Sequence, residues 1–399
     1  MKKDRISRPL LEQYRSELSR CVKCGSCRTL CPSFRLDREE SRSPRGRMAL
    51  IAAVLDNRLP VSAAFEDRLE TCTHCLACEF SCPSGVPVTK LIQAAREQAV
   101  QELGSGLIRS VLARVLRNDQ SMRLGGWLAP LALHYRSGTV NVSRGKAGLL
   151  SGAKSASGQG KRGTIAFFPG CASSYIQPEL GRAAVAVLIR TGYEVIVPEG
   201  LQCCGRPLLS LGDRHAASAV AEHNSRVLAA LEADRIITAC PSCALTFECE
   251  YPRLLPPGTA MPALVDIHAF LEREIAGLTL RPLARTVTWH DPCHLGRGLG
   301  LAAAARNILR ALPGLTLIET KNPDRCCGFG GVMRVTHPEI SDGIAREKAE
   351  SILATGAAAV VTGCPSCRMQ IAEGLHRAGS DSEVLHTVQL IEEALDSAE

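Results

Sequence analysis

Eighteen of the nineteen cysteines of this chain fall into spacings that suit metal ligation. Cys21, Cys24, Cys27 and Cys31 precede Pro32, and Cys72, Cys75, Cys78 and Cys82 precede Pro83, so C-x-x-C-x-x-C-x-x-x-C-P occurs twice. Three thiolates at intervals of three wrap one face of a cubane iron–sulfur cluster. Structural zinc is the competing reading, but it uses two separated C-x-x-C knuckles and not an unbroken triple closed by Cys-Pro. Further on, Cys171, Cys203, Cys204, Cys240 and Cys243 form one group of five, and Cys293, Cys326, Cys327, Cys364 and Cys367 form a second. Five thiolates exceed what tetrahedral zinc needs, which favours a further iron–sulfur centre over zinc or a reactive dithiol in each group. Cys249 stands at no motif position and reads as a buried apolar residue. His290 and His294 flank Cys293; each reads as a hydrogen-bonded neighbour of the site or as a proton-transfer group. His74, inside the second run, reads as an exposed residue able to tune a cluster.

The elements that must position these residues change character along the chain. A polar helix over residues 3–20 leads to Cys21. Ser43 suits an N-cap and Pro44 the first helical position of a helix running to about Leu59. Arg45 and Arg47 mark a solvated helix start, or guanidinium groups set against cluster thiolates, where they would raise the reduction potential. Helices over residues 63–70 and 88–103 complete an all-helical module. Residues 107–116 form a basic amphipathic helix and residues 127–135 an apolar stretch, packed between domains or resting on a membrane surface or quinone pocket. Residues 152–163, rich in Gly, Ser and Lys, read as a flexible linker.

From Thr164 short apolar strands alternate with helices, the pattern of a parallel sheet with both faces covered. Strands over 164–168, 193–197 and 235–239 end just before Cys171, the Cys203-Cys204 pair and Cys240. Strands over 286–289, 315–318 and 357–361 stand in the same way before Cys293, the Cys326-Cys327 pair and Cys364. The two sets are offset by 122 residues at the first cysteine, 123 at the pair and 124 at the C-P-S-C. So small a drift means a duplicated domain. Every cysteine group lies past the carboxyl end of a strand, where open α/β sheets bind ligands. Expected domains are residues 1–103, a helical and flexible connector over 104–163, and repeats over 164–280 and 281–399.

The totals narrow the function. Length of 399 residues and 45% apolar content fit a globular protein of several domains. The formal charge of +7 is partly offset by cluster thiolates, and aromatics are only 4%, so nucleic acid is an unexpected partner. Residues 1–20 are charged and do not read as a signal peptide, and clustered C-x-x-C spacing suits a reducing compartment; a cytoplasmic protein is expected, with membrane contact peripheral at most. No G-x-G-x-x-G follows a strand and no Walker loop is present, so a flavin or nucleotide must be held by another chain.

The paired C-P runs resemble two-cluster ferredoxins, in which the fourth cysteine of each run reaches across to the other cluster. The resemblance implies one [4Fe-4S] centre on Cys21, Cys24, Cys27 and Cys82, and another on Cys72, Cys75, Cys78 and Cys31. The repeated C-x31–32-C-C-G-x35–36-C-P-S-C resembles the CCG domain of heterodisulfide reductase catalytic subunits, where five cysteines can hold a non-cubane [4Fe-4S] assembly. Two ferredoxin motifs followed by two CCG domains are similar to the iron–sulfur subunits of glycolate oxidase and D-lactate dehydrogenase, and the stretches Ser43-Pro44-Arg45-Gly46-Arg47 and Pro83-Ser84-Gly85-Val86 favour that group. The resemblance implies an electron-transfer subunit that serves a separate FAD-containing dehydrogenase subunit oxidising glycolate or D-lactate and passes electrons to quinone or another acceptor. Both CCG repeats keep all five cysteines, which leaves open a heterodisulfide reductase-like catalytic subunit or the corresponding iron–sulfur subunit of an anaerobic glycerol-3-phosphate dehydrogenase. A zinc-stabilised scaffold is the alternative outside redox chemistry.

Overall fold

A computed structural model describes residues 6–117, 121–122, 162–259, 261 and 263–395. The stretch over residues 127–135 and most of the expected linker over 152–163 lie outside them. Among the described residues no helix is long and apolar enough to cross a membrane.

The chain divides into two compact units. The first comprises residues 1–113 together with Pro207–Arg214 and Gly328–Ile344, two segments that begin within three residues of a Cys-Cys pair. Its described elements are helical. Residues 3–20 were expected as one helix, but among their described part the chain forms two short ones, Pro9–Glu12 and Arg15–Ser19. Ser43 caps the Pro44–Leu55 helix by accepting from the Gly46 amide at 2.9 Å, with Pro44 at the first position. That helix stops four residues short of Leu59, because Asn57 takes a left-handed conformation with φ of 57°. Gly46 has to be glycine: a Cβ there would collide with the Glu40 carbonyl. The helices Ala63–Glu70 and Val88–Leu103 then pack Phe65, Leu69, Leu91, Ile92 and Ala95 onto Ile51 and Val54 of the first. The distant segments are tied in by polar contacts. His337 Nε2 lies 3.0 Å from Asp67 Oδ1, and the buried Arg96 donates to Ser210 O at 3.3 Å and to Cys72 O at 3.0 Å.

The second unit holds two four-stranded parallel sheets. The strands are β1 (Thr164–Phe167), β2 (Glu194–Ile196), β3 (Arg235–Thr238) and β4 (Leu264–Asp266), then β5 (Arg285–His290), β6 (Leu315–Glu319), β7 (Ala359–Thr362) and β8 (Glu383–His386). The orders are β2-β1-β3-β4 and β6-β5-β7-β8, the same topology twice. Helices cover the strands, so Ile165, Phe167, Ile237, Val287 and Val361 bury completely and read as continuous apolar runs. One apolar core serves both sheets: the Pro178–Arg190 helix packs on Thr387–Ala394, and Ile267–Glu274 packs on Ala302–Ala311. Each first-repeat helix thus meets the second repeat's counterpart of its own partner, a pseudo-twofold arrangement.

β4 and β8 carry no cysteine, and the sequence reading did not find them. Their ends build the polar centre of this unit. Asp266 caps the Ile267–Glu274 helix, and His386, which also starts a capping box with Gln389, caps Thr387–Ala394. The His268 ring lies between Asp266 Oδ1 at 2.7 Å and Thr387 Oγ1 at 2.9 Å, with its centroid 5.9 Å from that of His386. Burial, with His268 beside it, pushes the His386 imidazole well below the ordinary histidine range. Its Nδ1 accepts the Val388 amide, so the ring is neutral. Below about pH 6.5 the unfolded chain takes up a proton that folded His386 refuses, so stability is undiminished above that pH and falls as pH drops below it, by up to about 1.4 kcal/mol per pH unit. His386→Asn keeps an acceptor at the helix start, and should narrow the gap between melting midpoints taken at about pH 7 and about pH 5. An unchanged gap would place the acid sensitivity on another group.

Candidate metal centres

In the first unit the two cysteine runs line two cavities. One, of about 420 Å³ including its open mouth, is lined by Cys21, Cys24, Cys27, Cys78 and Cys82. The other, of about 320 Å³ on the same measure, is lined by Cys31, Cys72, Cys75 and Cys78. Cys82 thus joins the first three thiols of the other run and Cys31 joins Cys72, Cys75 and Cys78, while Cys78 lines both cavities. The loops curl by the same device. Lys23 and Gly25, and His74 and Leu76, stand two and four residues after the first cysteine of their runs, and all are left-handed, with φ of 57°, 89°, 52° and 63°. Three of the four are not glycine, and such a conformation costs about 1–3 kcal/mol each unless the surroundings enforce it.

The donor chemistry fits an anionic cluster. Backbone amides point at sulfur, with His74 N 3.5 Å from Cys72 Sγ and Val86 N 3.5 Å from Cys82 Sγ. The Ser26 hydroxyl and its amide draw the exposed Cys24 thiol below its ordinary range. Burial pushes the Cys72 thiol up, opposed by Arg47 and Arg96, and burial pushes Cys78 well up. An arginine borders each cavity. Arg45 reaches Lys23 O at 3.3 Å beside the first and pairs with Glu40 at 2.8 Å. Arg47, 1% exposed, lies at the second, with Nη1 4.0 Å from Cys31 Sγ, and its other hydrogen bonds go to neutral groups, Arg68 O, Ser33 and Thr71.

In the second unit the two groups of five lie past strand ends, where the order 2-1-3-4 reverses direction between its first and third strands. Cys171 follows β1, the Cys203-Cys204 pair follows β2, and Cys240 follows β3 and starts the Pro241–Cys249 helix. Cys293, the Cys326-Cys327 pair and Cys364 repeat this after β5, β6 and β7. The thiols touch. Cys203 hydrogen-bonds with Cys171 and Cys204, and Cys243 with Cys204 and Cys240. In the second group Cys327 Sγ lies 3.4 Å from Cys367 Sγ. Cys204 is held well below the ordinary thiol range by hydrogen bonds from Cys203 and Cys243, and Cys327 likewise by Cys326 and Cys367, so one thiolate forms readily at the second cysteine of each pair. Each repeat also braces the other's C-P-S-C turn: His294 Nδ1 is 2.8 Å from Ser242 Oγ, and Gln177 Nε2 donates to Pro365 O at 3.0 Å.

Two expectations are corrected. His74 is buried and not exposed, because its loop turns inward to bring the His74 amide to Cys72. Cys249 is exposed and not buried, because it ends its helix on the outer face. The sequence reading also passed over the side chains that surround the five-cysteine groups. Asn224 and Lys348, 124 positions apart, pin the loops ahead of the two Cys-Cys pairs: Asn224 Nδ2 donates to Cys203 O at 3.1 Å, and Lys348 Nζ to Pro323 O at 2.9 Å. A polar residue in mid-helix gives no signal of burial, so only the repeat offset could have found them.

A helical module with two thiol-lined cavities, followed by duplicated parallel sheets that each gather five cysteines, defines an iron–sulfur protein of the dicluster-plus-CCG class. The 4Fe-4S dicluster domain family matches residues 17–86, and the cysteine-rich CCG family matches residues 165–248 and 287–372. The chain is 31% identical to a fumarate reductase (CoM/CoB) subunit of Methanothermobacter marburgensis, over 98% of its own length and 75% of that protein. It is 27% identical to a dihydromethanophenazine:CoB–CoM heterodisulfide reductase subunit of Methanosarcina acetivorans, and 28% identical to the probable glycolate oxidase iron–sulfur subunit of Bacillus subtilis, in both cases over 95% of its own length and 94% of the relative. The chain belongs to this family of iron–sulfur oxidoreductase subunits.

The guanidinium of Arg47 stabilises added negative charge in the second cavity. Arg47→Met should lower the reduction potential of the cluster there by on the order of 100 mV, with Arg47→Lys in between. A redox titration followed by electron paramagnetic resonance measures this; equal potentials in all three proteins would show that Arg47 acts only through packing.

Proposed function

We propose that this chain is the electron-transfer subunit of a flavin-dependent 2-hydroxy acid dehydrogenase, acting with glycolate or D-lactate as the fuel of a partner FAD subunit and delivering electrons to quinone or another acceptor. The observation that carries the reading is the gathering of seventeen of the eighteen motif cysteines into four thiol groups along one chain, with Cys293 three residues past the end of β5. The end-to-end likeness to a probable glycolate oxidase iron–sulfur subunit supports the choice of fuel. The clusters would supply one-electron redox chemistry, while the protein sets their ligands, charge and burial.

In this reading Cys21, Cys24, Cys27 and Cys82 hold one [4Fe-4S] centre and Cys72, Cys75, Cys78 and Cys31 the other. Cys171, Cys203, Cys204, Cys240 and Cys243 bind a further iron–sulfur centre in a CCG domain over 164–280, and Cys293, Cys326, Cys327, Cys364 and Cys367 bind another in a domain over 281–399. The protein works in the cytoplasm, with peripheral membrane contact where its acceptor is a quinone. A second reading is favoured by the retention of five cysteines in both repeats: reduction of a disulfide at a CCG site, two electrons and two protons yielding two thiols.

Assays of the anaerobically purified chain separate the two. Reduction of a quinone analogue only when an FAD-linked 2-hydroxy acid dehydrogenase and its substrate are supplied is the expected result. Disulfide reduction by the chain alone, with a reduced viologen as donor, would overturn it in favour of the second reading. The ligand pairing has its own test, since Cys82→Ala should damage the centre on Cys21, Cys24 and Cys27. Damage confined to the centre on Cys72, Cys75 and Cys78 would refute the pairing.

A further inference from the structure

The two CCG sites carry the same five thiols in different surroundings. In the first repeat Phe168 directly follows β1 ahead of Cys171, and its ring meets Phe247 edge-on at 5.1 Å, with Tyr251 stacked on Phe247 at 4.0 Å. All three rings are buried. In the second repeat the position of Phe168, 122 residues on, is His290, and the position of Asn224 is Lys348.

His290 is completely buried at the end of β5. Neither ring nitrogen has a hydrogen-bond partner of ordinary geometry, and the side chain that acts on the ring at hydrogen-bond range is the Cys327 thiol. A ring nitrogen of His290, Cys327 Sγ and Cys367 Sγ all lie within 4.8 Å of one another. A buried imidazole nitrogen within reach of two thiol sulfurs supplies the donor set of a mixed nitrogen–sulfur metal site. The neighbouring Asp291 is already spoken for. Arg306 holds both of its oxygens at 2.8 and 2.7 Å, and Trp289 Nε1 donates to it at 2.6 Å, so it does not compete for the ring.

We infer that His290 is a nitrogen ligand of the metal centre in the second CCG repeat, beside Cys327 and Cys367, so that the two CCG centres of one chain differ in ligand set. This rests on the reading that the CCG sites bind iron. The first repeat has no equivalent donor, because Phe168 fills the place.

Pulsed electron paramagnetic resonance on the full-length, anaerobically purified chain, unlabelled and with 15N-histidine, tests the ligand directly, with iron and sulfide content measured on the same samples. The expected result is a strong histidine nitrogen coupling in the wild type that is lost in His290→Phe, the residue of the first repeat. His290→Cys replaces nitrogen by sulfur, and should keep the iron content while losing the coupling, which guards against a variant that merely fails to fold. Iron in excess of the roughly eight atoms of two cubanes, with no strong histidine coupling or with one that survives in both variants, would overturn the assignment and leave the iron reading intact. Iron at or below about eight atoms per chain would instead overturn the iron reading, and the assignment with it.

Discussion

Thiolates taken out of water must be compensated where they lie, and the arrangement of both units follows from that constraint. Burial alone pushes Cys72 and Cys78 away from the ionised form that a cluster requires. The first unit answers with backbone amides directed at sulfur and with the buried cations Arg47 and Arg96. Arg96 is also what holds Ser210 to Cys72, so one guanidinium serves as counter-charge and as tie to a segment more than a hundred residues away. In the second unit the compensation is shared among the thiols themselves. Hydrogen bonds from flanking cysteines hold Cys204 and Cys327 in the ionisable range at the expense of their neighbours.

Parallel sheets of order 2-1-3-4 solve the geometric half of the same problem. The chain turns back at the end of the first and third strands, so loops from both diverge there and leave a crevice. Placing one cysteine after the first strand, a pair after the second and C-P-S-C after the third brings five sulfurs to that crevice without a dedicated loop. Duplication then adds something a single repeat lacks. The two sheets bury one core between them, and each repeat's C-P-S-C turn is braced by a side chain of the other, Ser242 by His294 and Pro365 by Gln177. At Cys240 a hydrogen bond with Cys243 works downward and burial pushes the thiol up, with Cys364 of the other repeat adding a further upward push, so the two sites also feel each other's charge.

Most of this was legible in the cysteines because their spacing is set by ligand geometry rather than by packing. The strands that precede them could be read as apolar runs ending at a cysteine. β4 and β8 could not: they are three and four residues long, β4 is only partly buried, and no cysteine marks their ends. Yet they deliver Asp266 and His386 to the pseudo-twofold centre. His290 was noticed for its nearness to Cys293 in sequence, and the contact that matters is with Cys327 and Cys367, thirty-seven and seventy-seven positions on. Adjacency in the chain singled out His290, but the thiols that surround it are remote in sequence. A strand end places its side chain against its neighbours in the sheet, and those neighbours are remote in sequence.

The surroundings of the two CCG sites show how one ligand pattern can yield two electrostatic environments. Phe168, Phe247 and Tyr251 give the first site an apolar wall, with Asn224 a neutral pin beneath it and the Arg206 guanidinium acting on Cys204. The second has His290, the Asp291–Arg306 pair, and Lys348, whose burial brings its ammonium down to about 8 while Cys327 and Asp291 pull it back up. An apolar wall disfavours added negative charge, and a buried cation favours it. The pin beneath each Cys-Cys loop makes the same kind of backbone contact in both repeats, so exchanging an amide for an ammonium changes the charge at the site and leaves the loop's anchoring in place. Repeats that share thiols, topology and bracing therefore differ in the side chains that set the charge at each site, Arg206 with Cys204 in one and Lys348 with Cys327 in the other.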